Sequence, residues 1–207
     1  MHSNQLKGAF LNAGNIRLWN GEAVSANAMK LHLGCGNRFI PGFYHVDYMD
    51  YPHVDRRGPV EDLSFLTDGS VDLIYASHIL EHFGRHEVER VLKEWLRVLR
   101  PGGILRVSVP DFRAVVELYE QEGLQSGYSG LVGLVCGGQR HPLDFHKIIF
   151  DRPFLSYLLT HVGFSEVRDW DWRRTEHAGV DDYSQAYIPH MEKEKGRLMS
   201  LNLEAVR

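Results

Sequence analysis

The run Leu31-His32-Leu33-Gly34-Cys35-Gly36-Asn37-Arg38 constrains the fold more than any other stretch of the chain. A short apolar strand feeds straight into a turn holding Gly34 and Gly36. Eleven residues past Gly36 an acid, Asp47, closes a second strand-like run, Phe43-Tyr44-His45-Val46. An open α/β sheet can hold a ribose-bearing cofactor this way. The glycines let the backbone approach without a Cβ, and the acid accepts hydrogen bonds from the ribose hydroxyls. A dinucleotide fingerprint would place a third glycine at position 39, where this chain has Phe39. Close helix–strand packing beneath a pyrophosphate is therefore not provided for. On spacing alone, an ordinary strand-to-helix turn stays open.

The rest of the pattern alternates strand and helix. Residues 29–33, 43–47 and 71–76 are short, apolar and bounded by turns, and they read as parallel strands. Between Gly36 and Asp47, Pro41-Gly42 leaves no room for a full helix, so a single turn or loop is expected at 37–42. From Arg85 to Leu99 the residues Val88, Val91, Leu92, Trp95 and Leu99 share one helical stripe, which Pro101-Gly102-Gly103 should stop. A strand at 104–109 and a helix from Phe112 to about Glu122 follow. The glycine-rich stretch 123–150 then breaks the alternation, as an insertion. Phe154 to His161 reads as a helix closed by Gly163, Val167 to Trp172 as a strand, and Arg197 to Val206 as the last strand. Residues 1–28 read as an N-terminal arm, or as a lid, beside one domain at 29–207.

Composition narrows the class. With 207 residues, 43% hydrophobic and 24% charged, the chain is an ordinary globule with ample length for a core. A net charge of −4 and no basic stripe speak against nucleic acid as a partner. No apolar run is long enough to span a bilayer, and the first residues lack a basic-then-apolar leader. Two cysteines, Cys35 and Cys136, are too few for a disulfide framework, which fits a cytoplasmic setting.

Taken together, the pieces LHLGCG, HVD, EDL, SVDLIYASHILEHF and VLKEWLRVLRPGGILRVSVPDF, spread over residues 29–113, resemble the class I S-adenosylmethionine (SAM)-dependent methyltransferases. The likeness is to a small bacterial group of predicted, type 11-like methyltransferases in particular. The resemblance implies a Rossmann-like, doubly wound, mostly parallel sheet with an antiparallel last strand in a three-layer α/β/α fold. It also implies SAM as cofactor and S-adenosylhomocysteine as product. By the same resemblance, Gly34, Cys35 and Gly36 line the methionine part of SAM and Asp47 holds the ribose. Asp62 meets the adenine amine, Leu63 packs on the ring, and either Ser77 or His78 can face the sulfonium. The family's first helix is the piece this chain has no room for.

The acceptor is expected at the 123–150 insertion, where such enzymes build their pocket. Arg140, His141, Asp144 and His146 gather there, flanked by Lys147, and suit a small or glycan-linked acceptor methylated at oxygen or nitrogen. His78, His141 and His146 are the candidates for a catalytic base. Asp111 and Tyr119 are further pocket candidates. His82 reads as a packed residue, and Trp170-Asp171-Trp172 as core and surface packing. Two histidines with a carboxylate can bind a metal, but His141 and His146 would not share a helix face and Pro142 argues against a helix. No metal is expected from that cluster. Two rival readings remain open: a SAM-binding sensor or scaffold without turnover, and a dinucleotide-dependent reductase.

Overall fold

The computed structural model describes residues 16–17, 23–24, 28–124, 130–190 and 192–207. Seven strands form the main sheet. They are β1 (Lys30–Leu33), β2 (Tyr44–Asp47), β3 (Arg56–Arg57), β4 (Val71–Ser77), β5 (Leu99–Pro110), β6 (Ser165–Asp169) and β7 (Ser200–Val206). Their order is β3-β2-β1-β4-β5-β7-β6. All neighbours run parallel except β7, which is antiparallel to both β5 and β6. The winding direction reverses between β1 and β4. In a doubly wound sheet, that reversal opens a crevice at the carboxyl ends of the strands.

Side-chain alternation sorts the two faces. Leu31 and Leu33, Ile74 and Ala76, and Leu105, Val107 and Val109 turn toward one face. There they join the core built by α1 (Val88–Val98) and α4 (Arg152–Val162). The expected α1 stripe is wholly buried. Trp95 anchors it, its indole N–H donating to the Val60 carbonyl at 2.9 Å. α4 begins under an Asp151 cap and ends at Gly163 in the left-handed region, as its glycine suggested.

The other face is different. His45, His32, Tyr75, Arg106, Glu204 and Arg168 sit opposite one another in register on six adjacent strands. The segment after β6 covers this polar row, bringing Trp170, Glu176, His177 and Asp182. Tyr75 donates its hydroxyl proton to Asp182, and His177 lies over the Tyr75 ring at 4.1 Å between centroids. Arg106 reaches Glu204 at 2.8 Å and Glu176 at 3.0 Å.

Boundaries differ from expectation, and at four of them the local reason is visible. α1 stops at Val98 and the chain is already extended at Leu99, because a residue before proline, here Arg100, is kept out of helical geometry. β5 is accordingly longer than 104–109. β6 is Ser165–Asp169 rather than 167–172, because Asp171 caps a 3-10 turn at Trp172–Arg174 and draws that segment out of the sheet. The last stretch divides: Arg197–Leu198 pairs with Tyr187–Ile188, and β7 starts at Ser200. The helix α2 (Phe112–Glu122) matches its expected span, and a short α3 (Leu131–Cys136) lies in the 123–150 insertion. The proposed arm falls mostly outside the described residues, apart from a pairing of Ile16–Arg17 with Ala23–Val24. No helix among the described residues is long and apolar enough to cross a membrane.

Candidate cofactor and acceptor site

The glycine turn leaves β1 at the winding reversal. Leu33 pairs with Val46 of β2 and with Ala76 of β4, so Gly34–Gly36, Asp47 and Ser77–His78 stand at neighbouring strand ends. Gly34 and Gly36 have φ of +64° and +54°, a region that costs other residues about 1–2 kcal/mol. A Cβ on Gly34 would run into the Ile79 side chain, whereas one on Gly36 would meet no atom within 4 Å. Gly36 thus presents bare backbone to open space.

Asp47 is buried and pins this turn. One carboxylate oxygen accepts from the Gly36 N–H at 2.7 Å and the other from the Met49 N–H at 2.7 Å. Each oxygen keeps a further acceptor direction. The short 37–42 segment is a loop, as expected, and His45 holds it by accepting the Ile40 N–H at 3.0 Å. Cys35 is buried beneath, its thiol pushed up to about 12 by burial and then by Asp47. It stays a protonated filler rather than a nucleophile.

Other candidates are placed less simply. Ser77 ends β4 with its hydroxyl buried and without a hydrogen bond. His78 follows at φ +54°, a strained value for a residue with a Cβ. Its Nε2 lies 2.9 Å from the Ser200 hydroxyl, whose own proton goes to the Tyr183 carbonyl, so Nε2 is the donor. Its Nδ1 faces Glu81 at 3.2 Å. With both ring nitrogens against protein groups, His78 is placed to position its neighbours rather than to face an acceptor. This corrects the catalytic expectation.

Leu63 is also corrected. It is fully buried in the α1 core, and its N–H goes to Glu94 at 2.8 Å, so its side chain is not at hand for an adenine ring. Asp62 lies exposed next to it, accepting the Ser64 N–H at 3.0 Å and lining a shallow cleft with Arg90, Glu94 and Arg97.

The acceptor candidates separate into two groups. Asp111 caps α2 through the Arg113 N–H, a structural duty. Tyr119 lines an apolar cleft between α2 and α3 with Leu124, Val132 and Cys136. Asp144 organises its own loop by accepting from Arg140 Nε at 2.8 Å. That loop folds so tightly that a Cβ on Gly137 or Gly138 would strike Asp144. Arg140 and His141 remain on its exposed side. His146 alone turns inward. Its Nδ1 lies 2.9 Å from the Leu134 carbonyl and its Nε2 3.9 Å from Glu81, and the Lys147 N–H ties the loop to the Glu81 carbonyl at 2.8 Å.

Glu81, quoted above only as part of a motif, thus proves central: it is buried and links His78 at the end of β4 to the acceptor loop. Burial works to raise its carboxyl, but His78 first, and then His82 and His146, more than offset it and hold it below the usual range. An acid placed between two histidines in Ser77-His78-Ile79-Leu80-Glu81-His82 was the available signal.

The fold has relatives among known proteins. Residues 41–107 match the family model described as a methyltransferase domain. The chain is similar to a SAM-dependent methyltransferase of Archaeoglobus fulgidus, at 13% identity over 87% of each chain with a TM-score of 0.53. It is similar to a possible histamine N-methyltransferase of Thermotoga maritima, at 17% identity over 87% of this chain and 82% of that one, TM-score 0.53. The chain thus has the fold of the SAM-dependent methyltransferases, and its residues 41–107 carry the methyltransferase-domain match. A further structural neighbour is the 1,6-didemethyltoxoflavin-N1-methyltransferase of Burkholderia thailandensis. It was solved with 1,6-didemethyltoxoflavin and S-adenosylhomocysteine bound (17% identity, 87% of this chain and 71% of that one, TM-score 0.51). A search of curated proteins found no match. The methyltransferase-domain match and these neighbours support SAM as the cofactor, and the bare Gly36 backbone at the winding reversal leaves open space for a ligand.

Proposed function

We propose that this methyltransferase moves the SAM methyl group to an oxygen or nitrogen of a small or glycan-linked acceptor held against the 130–150 loops. The reading rests on one observation: a bare glycine turn, the Asp47 carboxylate and the Glu81–His146 link converge on the winding reversal. When bound, SAM supplies an electrophilic methyl and its own leaving group. The protein's share is placement, which can contribute up to roughly 7–11 kcal/mol of a barrier.

In this proposal the Gly34–Gly36 turn and Cys35 border the methionine part. Asp47 uses its remaining acceptor directions on the ribose, and Ser77 offers a buried hydroxyl beside them. Asp62 is the reachable partner for the adenine amine. Arg140 and His141 lie where an anionic or sugar-like acceptor would enter, with Asp144 holding Arg140 in place. His146 meets the acceptor from within. With Nδ1 donating to the Leu134 carbonyl, its Nε2 carries the lone pair. That lone pair can take the acceptor's proton or bind a cation that acidifies the acceptor. Two free cysteines suit a cytoplasmic setting.

Thermal melting with S-adenosylhomocysteine, NAD and NADP tests the cofactor. Ligand at a hundred times its Kd adds about 2.7 kcal/mol, a rise of roughly 5–10 °C for a chain this size. A rise with S-adenosylhomocysteine alone is expected. A rise with NAD and none with the homocysteine product overturns it. Binding without transfer to any of a panel of glycans and metabolites favours a sensor over an enzyme.

A further inference from the structure

Glu81, His82 and His146 each offer a ligand atom, and the three atoms lie within 4.8 Å of one another. This is not the His141–Asp144–His146 grouping that the sequence brings to mind, since His141 and Asp144 belong to the outer turn of the loop. The triad draws on two distant segments, joined where the Lys147 N–H meets the Glu81 carbonyl. We propose that it is a binding site for one divalent transition-metal cation of the zinc class, with an open position toward the acceptor.

Three independent features carry the proposal. The Glu81 carboxylate is about 1% exposed, and beyond His78 Nδ1 at 3.2 Å its oxygens have no hydrogen-bond partner among the described residues. A buried carboxylate left so is costly, and a coordinated cation is one of the few remedies. Next, both rings have Nδ1 against a backbone carbonyl: His146 on Leu134 at 2.9 Å, and His82 on Phe145 at 3.1 Å. A ring that donates from Nδ1 leaves Nε2 as its lone pair, and an outer carbonyl fixing the tautomer is how metal-binding histidines are usually held. Finally, the two rings stand nearly perpendicular, at 83°, with centroids 4.9 Å apart, so they approach a shared point without stacking.

Two imidazoles and one carboxylate suit zinc or a neighbouring metal, and three protein ligands leave room for a fourth. Ligand atoms around tetrahedral zinc lie roughly 3.3–3.5 Å apart, given bonds of about 2.0–2.1 Å. Closing from 4.8 Å asks for shifts of about an ångström, which the half-buried His82 can make. The competing arrangement is a self-sufficient Glu81–His78 pair that needs no cation.

The site itself does not depend on methyl transfer; only its role toward an acceptor rests on that reading. The test therefore omits SAM. Full-length protein is stripped with a chelator and titrated with Zn²⁺ by calorimetry and with Co²⁺ by visible absorption. One equivalent should bind, with Co²⁺ bands of low-symmetry coordination. His82→Ala and Glu81→Gln should each weaken Zn²⁺ binding at least about 10-fold, while circular dichroism shows them folded. Should Glu81→Gln not fold, the less buried His82→Ala decides. The absence of stoichiometric binding, or Zn²⁺ affinity unchanged by His82→Ala, overturns the proposal. S-adenosylhomocysteine binding by the same samples, measured separately, would leave the cofactor reading standing in that event.

Discussion

Removing the Asp47 carboxylate should separate cofactor grip from fold support. Asp47→Ala leaves the Gly36 and Met49 N–H groups without their acceptors, both now at 2.7 Å. A hydrogen bond to a charged group contributes about 1.5–3 kcal/mol. Full loss of both would therefore cost about 3–6 kcal/mol. The space beside Gly36 is open, so water can replace part of this, and the lower figure is the better expectation. The ribose contact adds its own cost of about 1.5–3 kcal/mol in binding, which is roughly a 10- to 150-fold rise in the Kd for S-adenosylhomocysteine. Urea unfolding measures the first quantity. Calorimetry at a temperature where the variant is folded measures the second. Asp47→Asn keeps the size of the side chain and should fall between, because its amide must oppose one N–H donor with another. A variant that loses stability yet binds within two-fold of the parent would refute the ribose role. It would recast Asp47 as a clamp on the glycine turn.

Gly36→Ala tests the same crevice from the other side. Strain at φ +54° should cost only about 1–2 kcal/mol of stability, while the added methyl enters open space and should abolish detectable S-adenosylhomocysteine binding; tight binding by a folded variant would count against that placement. His177 governs acid stability: burial, with Arg106 beside it, lowers its imidazole to about 4 from an ordinary 6.5. The unfolded chain takes up a proton between those values that the folded chain refuses, so stability is full above pH 6.5 and falls as pH drops toward 4, by about 3 kcal/mol. His32 and His45 are lowered as well and act in the same direction, so the measurement is a difference: denaturant melts of His177→Asn should show a shallower pH slope than the parent, and equal slopes would refute the assignment.

Much of this was legible in the chain because local rules and global fold agree. Leu31–Leu33 and Val71–Ala76 are apolar runs closed by turn residues, and burial on both faces is what parallel strands need. Val88, Val91, Leu92 and Trp95 recur at helical spacing, and the core receives all of them. The loop at 37–42 follows from counting residues. What could not be read was which polar residues meet across long distances in sequence. Leu63 and Asp62 stand side by side in the motif, yet a contact with Glu94 turns one inward and leaves the other in solvent. His78 looks like a base until Ser200, 122 residues away, is found at its Nε2. Glu81 has a local signal in His78 and His82 beside it, but its link to His146 arises only after the acceptor loop folds back.

The polar row on the second face explains how the sheet tolerates its missing first helix. Parallel strands are ordinarily covered by helices on both sides, and a Gly36–Asp47 connection this short cannot supply one. The uncovered positions on six strands are therefore not aliphatic but His45, His32, Tyr75, Arg106, Glu204 and Arg168, and the cover is irregular chain bearing Glu176, His177 and Asp182. An irregular segment brings unpaired backbone and side-chain polar groups, which an apolar sheet face could not satisfy. Arg106 answers two carboxylates from opposite directions, and Tyr75 answers Asp182. Breaking such a buried pair by removing one partner typically costs about 3–5 kcal/mol, so cover and sheet hold each other in a single register. The same cover supplies Tyr183, whose carbonyl takes the Ser200 proton and so orients His78 at the crevice. The device that replaces the absent helix thereby reaches the candidate site, and the short glycine connection and the polar sheet face are two consequences of one architectural choice.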